Sequence, residues 1–341
     1  MNKKKVTSHQ INCHKKGNLM LKRILYLLIV STMFRTLSGE SSREKITFQS
    51  ANPFGFNDVM SALDEQDDQE VFGYLTLPEN SEEDKLPLVV GAAGSLGWAE
   101  HHHEYFQMYR DIGIATFELK SFKARGVKST VGTQVEVTLA MMILDAYRAL
   151  AVLSEHPRID KDRIAITGWS LGGGTTLFSG WLPLKSMIEP DLSFAAHLAF
   201  YPPCFIEPEI LDFANAPVHI LIGELDDWTP AQPCVELVQK MQILGTDIEL
   251  TVFENSHHSF DRLAAPIVDE HGYSFTNCRL KMKKDGVVVM NFLNIPMTSP
   301  LLQKIGLAFC AERGPTFGGN PVSREKAFEF SKQFMTEHLL K

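Results

Sequence analysis

The stretch Arg163-Ile164-Ala165-Ile166-Thr167-Gly168-Trp169-Ser170-Leu171-Gly172-Gly173-Gly174-Thr175-Thr176 decides how the rest of the chain is read. An apolar, β-branched run leads into Gly-Trp-Ser-Leu-Gly, and a run of small residues leads out of it. That is the pattern of a strand, a sharp turn and a helix. In this setting a G-x-S-x-G turn presents a serine hydroxyl at the C-terminal edge of a sheet. Glycine is needed on both sides because the elbow strains the backbone and packs it closely. The competing reading is a Gly-rich structural turn. The strand–turn–helix context favours a nucleophile at Ser170.

Working outward, short apolar runs alternate with helical patterns. Candidate strands are Val71–Leu77, Leu88–Ala92, Ile114–Phe117, Arg163–Thr167, Ala195–Tyr201, Val218–Ile222 and Ile248–Phe253. Candidate helices are Glu100–Asp111, Gln134–His156, Leu171–Leu182, Gln232–Leu244 and Ser323–Leu340. In Gln134–His156, Val137, Met141, Leu144 and Ala151 recur at helical spacing, and Pro157 ends the run. Such alternation predicts an α/β fold: a mainly parallel, doubly wound sheet with helices on both faces. Sites in such sheets lie at the carboxyl ends of the strands. Residues 47–70 are polar and Asp-rich, and read as an irregular lead. Residues 271–322 lack periodicity and carry a basic run at Lys281-Met-Lys-Lys284. They read as a surface excursion, with a lid-like insertion as the alternative.

A serine hydroxyl needs a base within reach, and the base needs an orienting acid. On this fold the chain order is Ser, then Asp or Glu, then His. The buried-strand pattern Val218–Ile222 runs into Gly223-Glu-Leu-Asp226-Asp227-Trp228. Asp226 is the preferred acid. Asp227 is the reserve, with capping of the next helix as its structural role. The strand-like Glu249–Phe253 is followed by His257-His258-Ser-Phe260. His258 is the preferred base, which leaves His257 to contact substrate or to serve the loop. An oxyanion needs two N–H donors. The first is Leu171. The second comes from the Gly-rich loop Gly91-Ala-Ala-Gly94-Ser95-Leu96-Gly97, with Ser95 or Leu96 as donor. The run His101-His102-His103 does not have the i, i+4 spacing of a metal-binding helix, and no metal is expected there. A histidine near the substrate mouth is the more useful reading.

The chain has 341 residues, 44% hydrophobic and 22% charged, with a net charge of -8. That is enough for one large core. The acidic balance argues against nucleic acid as the main partner. The first 40 residues are the exception, with eight Lys or Arg and a single acid, Glu40. Met20-Leu-Lys-Arg, an apolar run of 11 residues from Ile24 to Phe34, and Thr36-Leu-Ser-Gly read as a secretory signal. Translation from Met20 would fit this better than from Met1. The run is too short to span a bilayer comfortably, since a spanning helix needs about 20 apolar residues. The chain thus divides into residues 1–40, a signal peptide or targeting segment, and residues 41–341, one domain. Export to a periplasmic or other extracytoplasmic space is expected, with an uncleaved anchor as the alternative. Beyond residue 40 stand Cys204, Cys234, Cys278 and Cys310. An even count permits two disulfides. If the strands before Cys204 and Cys234 are neighbours, these two share a sheet edge and pair.

Five stretches together resemble the dienelactone hydrolase family of α/β-hydrolases. They are Gly94-Ser95 after a strand, Ser121-Phe-Lys-Ala-Arg125-Gly126, Asp145–Leu150 with His156–Asp160, Gly168–Gly173, and Gly223–Asp226 with His258–Phe260. The resemblance covers about residues 70–262 and the last helix. It implies an α/β-hydrolase fold and a nucleophile, acid and base at Ser170, Asp226 and His258. It also implies a small-molecule ester or lactone as substrate, with no cofactor. Dienelactone hydrolases proper carry a cysteine nucleophile, so Ser170 favours a serine esterase of the wider family. Arg125 is a candidate to grip a substrate carboxylate, with a structural salt bridge as its alternative. Trp169 is a further candidate substrate contact. Two other classes remain open: a peptidase on the same fold, and a binding protein that retains the fold without catalysis.

Overall fold

The strand that feeds the Ser170 turn is β5 (Ile159–Trp169), and its last six residues are fully covered. It pairs in parallel with β3 (Leu86–Ala92) on one side and β6 (His197–Phe200) on the other. Every residue of β3 is buried, so both faces of the sheet are covered there. The computed structural model describes residues 43–79, 83–290 and 292–341, and residues 43–341 form one compact unit. With β1 (Arg43–Ala51), β2 (Asp68–Thr76), β4 (Ala115–Leu119), β8 (Val218–Gly223) and β9 (Ile248–Phe253), the sheet has the order β1-β2-β4-β3-β5-β6-β8-β9. β1 and β2 are antiparallel, and the other six strands are parallel. The expectation of a signal segment falls on residues 1–40, which lie outside the described residues. Among the described residues no helix is long and apolar enough to cross a membrane.

The helices are α1 (Phe56–Ser61), α2 (Glu100–Asp111), α3 (Ser121–Ala124), α4 (Leu139–Ser154), α5 (Leu171–Phe178), α6 (Leu182–Ile188) and α7 (Ala231–Ile243). Toward the end of the chain come α8 (Pro300–Leu307) and the long α9 (Pro321–Leu339). α2 packs with α9, and α4 packs with α5. Together they give the mainly parallel α/β architecture that the alternation of runs predicts.

Three readings of the sequence need correction. Residues 47–70 are not an irregular lead: β1 pairs with β2 over nine residues, from Arg43 opposite Thr76 to Ala51 opposite Asp68. The acids, Asp58, Asp64, Glu65, Asp67, Asp68 and Glu70, all follow β1, and that strand turns Phe48 and Ser50 inward. α4 starts at Leu139 rather than Gln134. Gln134 has a left-handed φ of 60°, and the Thr138 hydroxyl caps the helix by accepting from Met141 N. The helix expected over 171–182 breaks after Phe178 and resumes as α6 behind Trp181, with Pro183 in its first turn.

A buried ion pair joins the edge hairpin to this body. Asp145 on α4 is fully buried and its side chain meets Arg125 at 2.7 Å. Ser50 of β1 donates to the same carboxylate at 2.6 Å. Removing one partner strands a buried charge, which costs about 3–5 kcal/mol. Asp145→Ala is therefore expected to lose that much stability in urea unfolding, and a loss below about 1 kcal/mol would contradict the pairing. Two buried histidines add a pH dependence. Burial holds His197 and His219 at about 4, against 6.5 when free. Unfolding therefore takes up protons below pH 6.5. The stability that depends on their neutral form is complete above 6.5 and is lost as pH falls toward 4. The unfolding midpoint should drop between pH 7 and 4.5, and drop less in His219→Gln. An equal drop in both proteins would remove His219 from this account.

Candidate active site

Ser170 sits at the end of β5 with φ 57° and ψ -113°, a backbone setting that only a few non-glycine residues adopt. The turn is tight on both sides. A Cβ at Gly168 would lie 2.2 Å from the Gly172 carbonyl oxygen, and one at Gly172 would lie 2.0 Å from that of Ala92. The Ser170 N–H is anchored to Phe200 O at 2.9 Å, and its carbonyl accepts from Gly174 N. The hydroxyl therefore projects beyond the sheet edge.

His258, from the loop after β9, lies with Nε2 2.9 Å from Ser170 Oγ. Its Nδ1 lies 2.8 Å from Asp226 Oδ2, in the loop after β8. With the ring proton on Nδ1, Nε2 is free to accept the serine proton. Asp226 Oδ1 accepts from the backbone N–H groups of Trp228 and Thr229, at 2.9 and 2.8 Å. That fixes the carboxylate. The imidazole is held between Trp228, stacked at 5.1 Å, and Tyr201, edge-on at 4.6 Å. Thr229 Oγ1 lies 3.0 Å from the Tyr201 carbonyl, 3.2 Å from Asp226 Oδ2 and 3.1 Å from His258 Nδ1. Thr229 and Tyr201 carry no motif, and the sequence reading did not single them out. Their only signal was position, each just beyond the end of a parallel strand.

Leu171 is the first residue of α5, so its N–H has no carbonyl one turn back to bond. The loop after β3 brings Ser95 opposite. Gly94 permits this approach, since a Cβ there would lie 3.0 Å from Trp169 O and 3.3 Å from Ser170 Cβ. Ser95 N donates to no group among the described residues, while Ser95 Oγ bonds Gln134 at 3.2 Å. Of the two donors the loop offers, Leu96 is exposed and Ser95 is buried beside Ser170.

The remaining candidates fall elsewhere. Arg125 lines no pocket, because its five hydrogen bonds go to Asn52, Ser121 O, Ala51 O and both oxygens of Asp145. Its structural role is the one realised. His257 turns outward, with Nδ1 3.2 Å from the Leu225 carbonyl. Asp227 does not cap α7, whose N-cap is Pro230; instead its Oδ1 accepts from Thr316 N at 2.8 Å. Trp169 is the exception: it is buried and stacked on His102 at 4.2 Å, yet it lines a small pocket beside Ser170. Burial and then neighbouring His101 hold His102 well below its usual value, so it is neutral. His103 points away to Glu118 at 3.1 Å. Among the described residues no group of His, Cys, Asp and Glu is placed to hold a metal.

Two pockets flank Ser170. The larger, about 130 Å³, is lined by Leu171, Phe205, Phe275, Leu280, Met297 and Leu307 among others. The smaller, about 20 Å³, takes in His258, Ser259, His102 and Arg262. Residues 271–322 supply much of the larger wall, so they cover the site rather than run off as a surface excursion. Their strands are β11 (Tyr273–Ser274), β12 (Leu280–Met282), β13 (Val288–Met290), β14 (Glu312–Arg313) and β15 (Thr316–Phe317). β12 pairs with β7 (Ile206–Pro208), and the Cys278–Cys310 disulfide closes this cap. The other disulfide is Cys204–Cys234, the pairing expected from neighbouring strands. Arg262 was missed: its guanidinium lies against Phe317 at 5.2 Å and has no ion-pair partner among the described residues.

The sheet and the elbow are those of the α/β-hydrolase fold. In sequence, residues 120–277 match the model of the dienelactone hydrolase family. Among solved structures, m3DLH has a TM-score of 0.57 at 17% identity, over 88% of this chain and 100% of that one. A dienelactone hydrolase-like promiscuous phosphotriesterase from metagenomic libraries has a TM-score of 0.52 at 15% identity, over 87% and 99%. These likenesses concern the fold. Dipeptidyl peptidase family member 1 of Caenorhabditis elegans is 23% identical over 170 residues, 45% of this chain and 20% of that protein. The chain thus spans about one fifth of the length of the curated relative it matches.

The two arginines should behave oppositely. Arg125→Ala is expected to destabilise by about 3–5 kcal/mol, as removal of one partner of a buried pair does. Arg262→Ala should stay within about 0.5 kcal/mol of the parent protein in the same unfolding measurement. A large loss in Arg262→Ala would mean that this guanidinium is structural as well.

Proposed function

We propose that the chain is a carboxylic ester hydrolase that acts through an acyl-enzyme. The observation that carries the reading is the unbroken line from Ser170 Oγ through His258 to Asp226, at 2.9 and 2.8 Å. Ser170 Oγ attacks the ester carbonyl while its proton passes to His258 Nε2. The N–H groups of Leu171 and Ser95 receive the negative charge that develops on the carbonyl oxygen. Asp226 stabilises the imidazolium. His258 then returns the proton to the departing alkoxide, which leaves Ser170 acylated. Water attacks the acyl group by the same route, with His258 again as base. No step requires a metal or a cofactor.

The peptidase reading has a specific support, the name of the curated relative. An exopeptidase that removes dipeptides must recognise a free ammonium group, which calls for a carboxylate at the pocket wall. No Asp or Glu lines either pocket among the described residues, and this favours the ester. Two disulfides support an oxidising, extracytoplasmic location.

A fluorophosphonate probe tests the chemistry. One adduct on Ser170 is expected by mass spectrometry, absent in His258→Ala. Ser170→Ala should lose at least about 10³-fold in ester turnover with its fold intact. Near-parental turnover in that variant, or faster cleavage of the matched amide than of the ester, would refute the proposal. The same spectrum reads the N-terminus: export is contradicted by an intact Met1 on the recovered protein.

A further inference from the structure

Within that reading, we infer that the larger pocket is the acyl site, and that it selects a neutral, apolar acyl group of about six carbons. The assignment of sides follows from proton transfer. The group that protonates the leaving oxygen must lie beside it, so the alcohol departs on the side where His258 is part of the wall. His258 lines the smaller pocket and not the larger. Ser170 and Ser95 border both, while Leu171 borders only the larger. An acyl chain extending from the carbonyl carbon, away from His258, therefore enters the larger pocket.

The chemistry of that pocket is uniform. None of its lining side chains is ionisable, and its polar groups are hydroxyls, amides and an indole N–H. A free carboxylate placed there would lose its hydration without gaining a cation. The far wall is apolar. Phe205 stacks on Phe275 at 4.6 Å, and Leu280, Met297 and Leu307 of the cap close the end. Size sets the length. A dry cavity of about 150 Å³ holds benzene, and this pocket is about 130 Å³. The smaller pocket, at about 20 Å³, holds little more than one water, so the alcohol is small or extends into solvent. The two sides differ in what they reward: methylenes added to the acyl chain gain burial, and methylenes added to the alcohol do not.

The test is kcat/KM for p-nitrophenyl acetate, butanoate, hexanoate and dodecanoate, together with the p-nitrophenyl monoester of succinic acid. Burial of each methylene corresponds to about a fourfold gain, so a rise of at least tenfold from acetate to hexanoate is expected. The succinate ester should fall at least tenfold below hexanoate. Lengthening the alcohol of an acetate ester from methyl to hexyl should change kcat/KM by less than about threefold. Leu307→Trp, which fills the closed end, should lower the hexanoate-to-acetate ratio at least tenfold. Met297→Phe provides an independent reading of the same ratio should the tryptophan variant not fold. A flat or falling series from acetate to hexanoate, a further rise at dodecanoate, a preference for succinate, or a gain that follows the alcohol would overturn the assignment. The proposed function fails separately: it is lost if no ester is turned over and Ser170 takes no fluorophosphonate. Labelling of Ser170 with a preference for acetate removes only the acyl site.

Discussion

The conformation of one residue organises the molecule. Ser170 carries a side chain at φ 57°, a setting that costs about 1–3 kcal/mol and persists only where the surroundings over-determine it. Here they do. Gly168 and Gly172 leave no space for a Cβ, and the backbone of Ser170 is tied at its N–H to β6 and at its carbonyl to α5. The chain therefore cannot relax into a continuous strand or a longer helix. What emerges is a hydroxyl fixed at the carboxyl edge of the central strand. The other working parts come from the same edge: Ser95 after β3, Tyr201 after β6, Asp226 after β8 and His258 after β9. Their mutual geometry is set by the spacing of parallel strands rather than by any one loop.

This dependence explains what could be read in the sequence. Parallel strands covered on both faces appear as unbroken apolar runs, and Val218–Ile222 and Leu88–Ala92 were visible for that reason. Ser170, Asp226 and His258 were legible because each stands in the loop that follows such a run. β1 was not, because an edge strand with one buried face alternates, and its Phe48 and Ser50 were submerged among polar neighbours. Gln134 and Val137 were drawn into α4 because apolar spacing does not register a left-handed residue or a capping threonine. Arg125 and Arg262 show the limit most clearly. Both read alike in the sequence, and only the folded chain shows Arg125 bonded to Asp145 and Arg262 lining the smaller pocket.

The cap was illegible for a different reason. Its strands are only two or three residues long, too short to show a period. Its order comes from the register of β12 on β7, the Cys278–Cys310 bond within it, and hydrogen bonds to Asp227. Ser274 Oγ donates to the Asp227 carbonyl at 2.6 Å, and Thr316 N to its carboxylate at 2.8 Å. The cap is thus fastened at both of its ends to a single residue.

That residue is the immediate neighbour of Asp226. Two consecutive aspartates serve two bodies, one bonded to the His258 imidazole and the other seating the wall of the larger pocket. The peptide bond between them is a shared datum: the cap is gauged from the same point as the catalytic groups. A change inside the cap can therefore reshape the pocket wall while the point from which that wall is positioned stays in place. In the proposed esterase, selectivity and chemistry are separable because both are measured from one fixed mark.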